Sequence, residues 1–237
     1  MGSAASVPVN VYATALESYL VSMAKTVESS VSRSFEALLT RSEEVASDVF
    51  VKEPRINEME VIIDEHAVRL LRGGNLPDDE VRHIVATLKI NNDLERMADL
   101  AVNICQRVIS LSQMPAIEPP QELETMSASV RAMVGRSLGA LLHRSLTLAN
   151  EVLENEATID DQRDQIVDTL VTSAKQEPSL VAANIQYILA IRHMERIADH
   201  TTNIAEDIVF WLRGLEVRHG RARQMETTRS AQSLGAL

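Results

Sequence analysis

Two acidic pairs with the same internal spacing are the residues of this chain best placed to do chemistry. Glu95 and Asp99 lie within LERMADLAVNI, Leu94 to Ile104, and Glu195 and Asp199 lie within MERIADHTTNI, Met194 to Ile204. Glu, Arg, Ala, Asp, Asn and Ile recur between the two stretches in register, displaced by 100 residues. On an α-helix residues four apart share a face, so each copy sets two carboxylates side by side. Such neighbours repel unless something positive lies between them. A bound hard cation would serve, and so would an arginine: Arg96, Arg192 and Arg196 each stand three residues before an acid of these stretches.

The helices that would carry the pairs are legible around them. Ile90, Leu94, Met97, Ala101, Ile104, Val108 and Leu111 alternate steps of four and three, the mark of a helix buried along one side. Asn92, Glu95, Asp99, Asn103 and Gln106 form a stripe about a quarter turn away. The second copy repeats the seam with Ala190, Met194, Ile197, Ile204, Ile208 and Trp211, with Thr201 where the first has Ala101. A further repeat, FEALLTRS (Phe35 to Ser42) against LGALLHRS (Leu138 to Ser145), is displaced by 103 residues. That displacement lays Glu53 and Asn57 over Glu156 and Asp160, again four apart. Short loops make successive helices antiparallel, so these pairs would face the first ones and bring four oxygen-bearing side chains together in each half. Carboxylate and amide oxygens, without a Cys or His pair at zinc spacing, suit Mg²⁺, Mn²⁺, Ca²⁺ or ferric iron. The competing reading is a salt-bridged face, worth about 0.2–0.5 kcal/mol per exposed pair.

Catalytic constellations are not seen in the sequence. Glu80 and His83 form a single Glu-x-x-His, whereas di-iron carboxylate bundles carry two such motifs. Neither a Gly-rich phosphate loop nor a nucleophile elbow occurs, and Asp199 and His200 would point about 100° apart. No catalytic residue is expected.

In 237 residues there are 8 Gly and 7 Pro with 3% aromatics, a composition that favours helices, and an all-α fold is expected. The formal charge of −11, with no basic stripe, argues against binding nucleic acid. Cys105 is the single cysteine, which excludes an internal disulfide and reads as core packing in a reducing compartment. With no apolar run long enough to span a bilayer and no basic, apolar leader, the expectation is a cytoplasmic protein with at most peripheral membrane association.

Six long helices are predicted. They run from about Asn10 to Leu39, from Ser42 as N-cap to Arg72, and from Asp78 to Gln113. The second half has Leu123 to His143, Leu146 to Lys175, and Ser179 to Arg213. Pro54 predicts a kink or break in the second helix near Val51 to Glu53. MPAIEPPQ, Met114 to Gln121, reads as a linker, giving two tandem three-helix bundles at 10–113 and 122–214 and a flexible tail at 215–237.

The doubled Glu-Arg-(Met/Ile)-Ala-Asp with Asn-Ile, together with HAVRLL (His66 to Leu71), VRHIVATLKI (Val81 to Ile90) and IADHTTNIAEDIVFWLRG (Ile197 to Gly214), resembles the PhoU family of phosphate-signalling regulators. The resemblance implies two pseudo-symmetric three-helix bundles and metal-ligand roles for Glu53, Asn57, Glu95, Asp99, Glu156, Asp160, Glu195 and Asp199. Iron comes first among the implied metals, with manganese, magnesium or zinc as others. It further implies a homodimer that couples a phosphate ABC transporter, through its ATPase subunit, to a sensor histidine kinase and represses the phosphate-starvation response. The alternatives are a metal-dependent enzyme or metal store in a helical bundle, and a purely structural helical dimer.

Overall fold

The apolar seams become long helices because few glycines or prolines interrupt them. A computed structural model describes residues 9–115 and 117–217, as seven α-helices and one 3₁₀ turn. The first half holds α1 (Val9–Thr40), α2 (Glu43–Arg72) and α3 (Asp78–Ser112). The second holds α4 (Glu122–His143), α5 (Leu146–Leu153), α6 (Glu156–Gln176), the turn Pro178–Leu180 and α7 (Val181–Arg213). The tail expected at 215–237 lies beyond the described residues except for 215–217.

Helix ends follow the local chemistry. Ser42 accepts a hydrogen bond from the Val45 amide at 3.2 Å and Ser145 from the Leu148 amide at 3.3 Å, so each middle helix starts on a serine cap. The residue before each serine, Arg41 at φ 52° and Arg144 at φ 50°, takes the left-handed conformation that reverses the chain. Gly214, at φ 65°, ends α7 in the same way.

α1, α2 and α3 pack as one bundle, and α4, α5, α6 and α7 as another. The two meet where α3 lies against α7 and α1 touches α4. Cross-contacts pair Arg107 with Gln186, Asp93 with His200, Lys89 with Asp207 and His83 with Trp211, so α3 and α7 run antiparallel. Every seam residue of α3 from Ile90 to Leu111 is buried, and so are Ala190, Met194, Ile197, Ile204 and Ile208 of α7. Burial of each large side chain contributes about 1.5–3 kcal/mol. Thr201 is equally buried because its hydroxyl donates to the Ile197 carbonyl at 2.7 Å. Cys105 lies in this core, where burial pushes its thiol up to about 12.

Two expectations about the middle helices change. α2 continues through Pro54 without the break that was one of the two expected outcomes there. The ring is exposed, so the carbonyl it deprives of an N–H lies on the solvated side, where water can serve it. The helix expected from Leu146 to Lys175 is interrupted at Glu154 and Asn155. There the Asn155 side-chain amide donates to the Glu151 carbonyl at 2.6 Å, taking the acceptor that a continuing helix would use.

Candidate metal centres

The antiparallel packing of α2 on α3 and of α6 on α7 brings two acidic clusters together. In the first half Asn91, buried on α3, donates its side-chain amide to the Glu60 carbonyl at 3.1 Å and to Asp64 Oδ1 at 3.0 Å. This sets Asp64 of α2 opposite Asn91, and Glu60 beside Glu95 and Asp99 of α3. Desolvation first, then Asp64 and Asp99, raise the Glu60 carboxyl above its ordinary value, with Arg96 opposing. Desolvation, then Asp99 and Glu60, raise Glu95 against the same Arg96. Arg96 is a loose partner, 3.5 Å from Glu95 and 4.0 Å from Asp99, with its side chain 55% exposed.

In the second half Glu156 and Asp160 of α6 face Glu195 and Asp199 of α7. The Asp199 carboxyl is raised by desolvation first, then by Glu195, Glu156 and Asp160, with His200 opposing. Here an arginine reaches across: Arg163 of α6 pairs with Glu195, with Asp160 at 3.0 Å and with Asp164 at 2.9 Å.

Glu53 and Asn57 sit seven residues before Glu60 and Asp64 on α2, about 10 Å along its axis. Asn91 lies opposite Glu60 and Asp64, so antiparallel packing carries Asp99, eight residues on, to the level of Glu53 and Asn57. The displacement of 103 holds along the middle helices: buried Ala46, Val49, Ile56 and Ile63 answer Ala149, Val152, Ile159 and Ile166, and α2 and α6 end at Arg72 and Gln176. Glu53 and Asn57 thus hold the places of Glu156 and Asp160, and Glu60 that of Arg163. Glu60, which the spacing of four did not single out, joins Glu95 and Asp99.

The carboxylates of Glu53, Glu60, Glu95 and Asp99 in the first half and of Glu156, Asp160, Glu195 and Asp199 in the second, with the Asn57 amide oxygen, are hard donors suited to Mg²⁺, Mn²⁺ or iron. Among the described residues no three His, Cys, Asp or Glu side chains already converge on a common ion position. Closure on a cation would need side-chain rotation, which the exposed positions of Asn57, Glu156, Asp160 and Asp199 leave open.

A separate polar seam joins the bundles. Asp93, 6% exposed, accepts from His200 Nδ1 at 2.8 Å and from the Asn203 amide at 3.3 Å, and the buried Asp207 meets Lys89 Nζ at 3.1 Å. His83, of the lone Glu-x-x-His, stacks on Trp211 with ring centroids 4.2 Å apart and lies 3.7 Å from Glu17. Desolvation lowers its pKa first, Glu17 works against that, and Arg144 adds to it. It serves the packing between the bundles.

The profile of the PhoU domain matches twice, at residues 20–108 and 123–208, once over each bundle. The Pseudomonas aeruginosa protein named phosphate-specific transport system accessory protein PhoU homolog is 32% identical over 215 residues, covering 89% of this chain and 88% of that one. The Aquifex aeolicus protein of the same name is 31% identical over 205 residues, covering 86% and 93%. The crystal structure of PhoU from Pseudomonas aeruginosa superposes with a TM-score of 0.83 at 30% identity, covering 88% of this chain and all of that one. The phosphate transport system regulatory protein PhoU from Streptococcus pneumoniae, at 24% identity and a TM-score of 0.80, shares the fold. With both bundles matched by the profile and nearly the full length shared with these relatives, the chain belongs to the PhoU family.

Proposed function

We propose that this protein is a regulatory adaptor of phosphate uptake and signalling. It acts in the cytoplasm as a homodimer, links the ATPase subunit of a phosphate ABC transporter to a sensor histidine kinase, and represses the phosphate-starvation response. The observation that carries this reading is the doubled domain match, supported by relatives named as accessory proteins of phosphate-specific transport that align over most of their length. The role is read as non-catalytic, in keeping with relatives named as accessory proteins of a transport system. Deletion in the source cell, followed by phosphate uptake and phosphate-starvation transcription, tests the proposal; unchanged uptake and transcription would refute it. Co-purification of the tagged protein with the transporter ATPase tests the coupling.

Hard cations, iron foremost, belong to the same reading. Glu53, Asn57, Glu95 and Asp99, with Glu60 beside them, would hold one centre, and Glu156, Asp160, Glu195 and Asp199 the other. The donor chemistry fits, and the raised carboxyl groups mark sites where bringing in positive charge lowers the energy. A bound cation would supply charge neutralisation and a cross-link between neighbouring helices. The chain's own residues do the rest: Asn91 ties α2 to α3 through the Glu60 carbonyl and Asp64, and the buried seams of α3 and α7 keep both acidic stripes facing their middle helices. Metal content of tag-free protein, compared with a variant lacking Glu95, Asp99, Glu195 and Asp199, tests this part; equal metal in both would refute it.

A further inference from the structure

α3 and α7 carry the repeat displaced by 100 residues and lie antiparallel, so exchanging the two helices maps one end of their contact onto the other. At one end the charges are matched: Asp93 accepts from His200 and Asn203, and the buried Asp207 meets Lys89 Nζ at 3.1 Å. At the exchanged positions His193 stands for Asp93 and Arg107 for Asp207, while Leu100 and Leu189 stand for His200 and Lys89. The acids have become bases, and the bases have become leucines. The groups left there lack counter-ions. Arg107 is half-buried; its Nη1 donates to Gln186 Oε1 at 3.3 Å, and its Nε is shut off from solvent with no acceptor. His193 Nδ1 is likewise buried without a partner. Burial first, then Arg107 and Arg196, lowers the His193 pKa, so both guanidinium groups act on the ring, and no carboxylate among the described residues counters them. A guanidinium drawn out of water is ordinarily matched by an acid, and a buried donor by an acceptor. Here the chain supplies neither.

We propose that Arg107 and His193, with Gln186 steadying the guanidinium and the exposed Arg196 at the rim, form a site for a small tetrahedral oxyanion, phosphate or sulfate. With Nη1 taken by Gln186, the edge of Arg107 left to a ligand is the one formed by Nε and Nη2, a fork that grips two oxygens of one anion. His193, with its proton on Nδ1, adds a third donor from α7. Two donors from one helix and one from the other suit an acceptor with three oxygens or more. The anion takes the part that Asp93 and Asp207 play at the other end, a negative group set between α3 and α7. Because α3 belongs to one bundle and α7 to the other, its arrival ties the two halves together. The site goes beyond the adaptor and metal readings, and both stand whether or not an anion binds here.

Equilibrium dialysis of the full-length protein against radiolabelled inorganic phosphate tests it, in chelator, at constant ionic strength and with unlabelled sulfate as competitor. The wild type should bind phosphate saturably, one per chain. Competition by sulfate would mean that the site takes either anion, and its absence that the site takes phosphate alone. Arg107→Gln should weaken binding by about 10- to 100-fold, the loss expected for a charged hydrogen-bond donor. Leu189→Asp gives Arg107 an acid of its own, the Lys89 and Asp207 pair with its signs exchanged, at a position 37% exposed, where the change spares the core. It should abolish phosphate binding and raise the Tm of the phosphate-free protein, whereas Leu189→Asn, of the same size without the charge, should bind as the wild type does. Arg72→Gln, which removes an exposed charge on α2, should also leave binding unchanged. Far-ultraviolet circular dichroism checks that each variant is folded. A wild type that binds no phosphate at millimolar concentration, or binding that survives both Arg107→Gln and Leu189→Asp, would overturn the inference. The adaptor reading fails separately, by the deletion experiment above.

Discussion

Glu95→Gln should have opposite effects on stability with and without metal, and the structure sets both signs. The Glu95 side chain is 17% exposed, with Asp99 one turn ahead on α3 and Glu60 across on α2. Two unit charges about 6 Å apart interact by about 0.7 kcal/mol in water and about 3 kcal/mol at the effective dielectric near a protein surface. Arg96, 3.5 Å away but 55% exposed, returns a part of this. Removing the charge should then stabilise the metal-free protein by about 1 kcal/mol near neutral pH, or about 2–4 °C in a chain of this size. Glu95 has a raised pKa in the folded state, so the stability that comes from its protonation is present at low pH and lost as pH rises through the folded value. The gap between variant and wild type should accordingly close as pH falls from 7.5 into the range just above the ordinary glutamate value. With Mn²⁺ at about 100 times its Kd, the wild type gains about 2.7 kcal/mol. The variant, one ligand poorer, should then melt below it. Differential scanning calorimetry in chelator and in Mn²⁺, each at pH 7.5 and pH 4.5, reads all four conditions. If Glu95→Gln lowers Tm in chelator at pH 7.5, or if the gap is the same at both pH values, the carboxylates do not repel one another as argued.

Other consequences are equally direct. Arg41 donates to the Leu111 carbonyl, to that of Met114 at 3.2 Å and to those of Pro115 and Ile117 at 3.2 Å, tying the bundle linker to the end of α1. Arg41→Ala should cost about 1–3 kcal/mol and open the linker to limited proteolysis near Gln113, followed by mass spectrometry. Trp211→Ala takes away the ring that covers His83, so the His83 pKa should rise toward its ordinary value, as read from imidazole proton shifts in an NMR titration. Ser42→Ala and Ser145→Ala should each lose about 1 kcal/mol of stability in chemical denaturation, because each deletes the side-chain acceptor that starts a middle helix. Gly214→Ala should cost about 1 kcal/mol: a Cβ there would sit 3.6 Å from Arg82 Nε, an ordinary contact, so the penalty is the left-handed backbone alone.

What the sequence disclosed and what it hid divide along a physical line. Helix content, the ends of α1, α2, α3 and α4, and the seams of α3 and α7 depend on residues within a few turns of one another, and each was legible. Glu95/Asp99 and Glu195/Asp199 are legible for the same reason: their spacing lies within one helix, and the copies match without a gap. The depth at which α2 lies against α3 is a different quantity. Seven residues turn a helix through about 700°, within about 20° of two full turns, so sliding α2 by seven leaves its apolar face where it was. Ile56 and Ile63, seven apart, are both buried, and Met59 lies between them on the same side. Periodicity thus cannot set the level at which Glu53, Asn57, Glu60 and Asp64 meet α3; only contacts between helices can, and Asn91 to Glu60 and Asp64 are those contacts. The break at Asn155 is hidden for a related reason: it leaves the register intact, since the caps Ser42 and Ser145 and the ends Arg72 and Gln176 stay 103 and 104 residues apart, so no slip in the repeat marks it. Arg163 was within reach of the same repeat: its counterpart at 103 is Glu60, so the second half carries a cation where the first carries a further acid, and only the contact of Arg163 with Glu195 gives that difference its place.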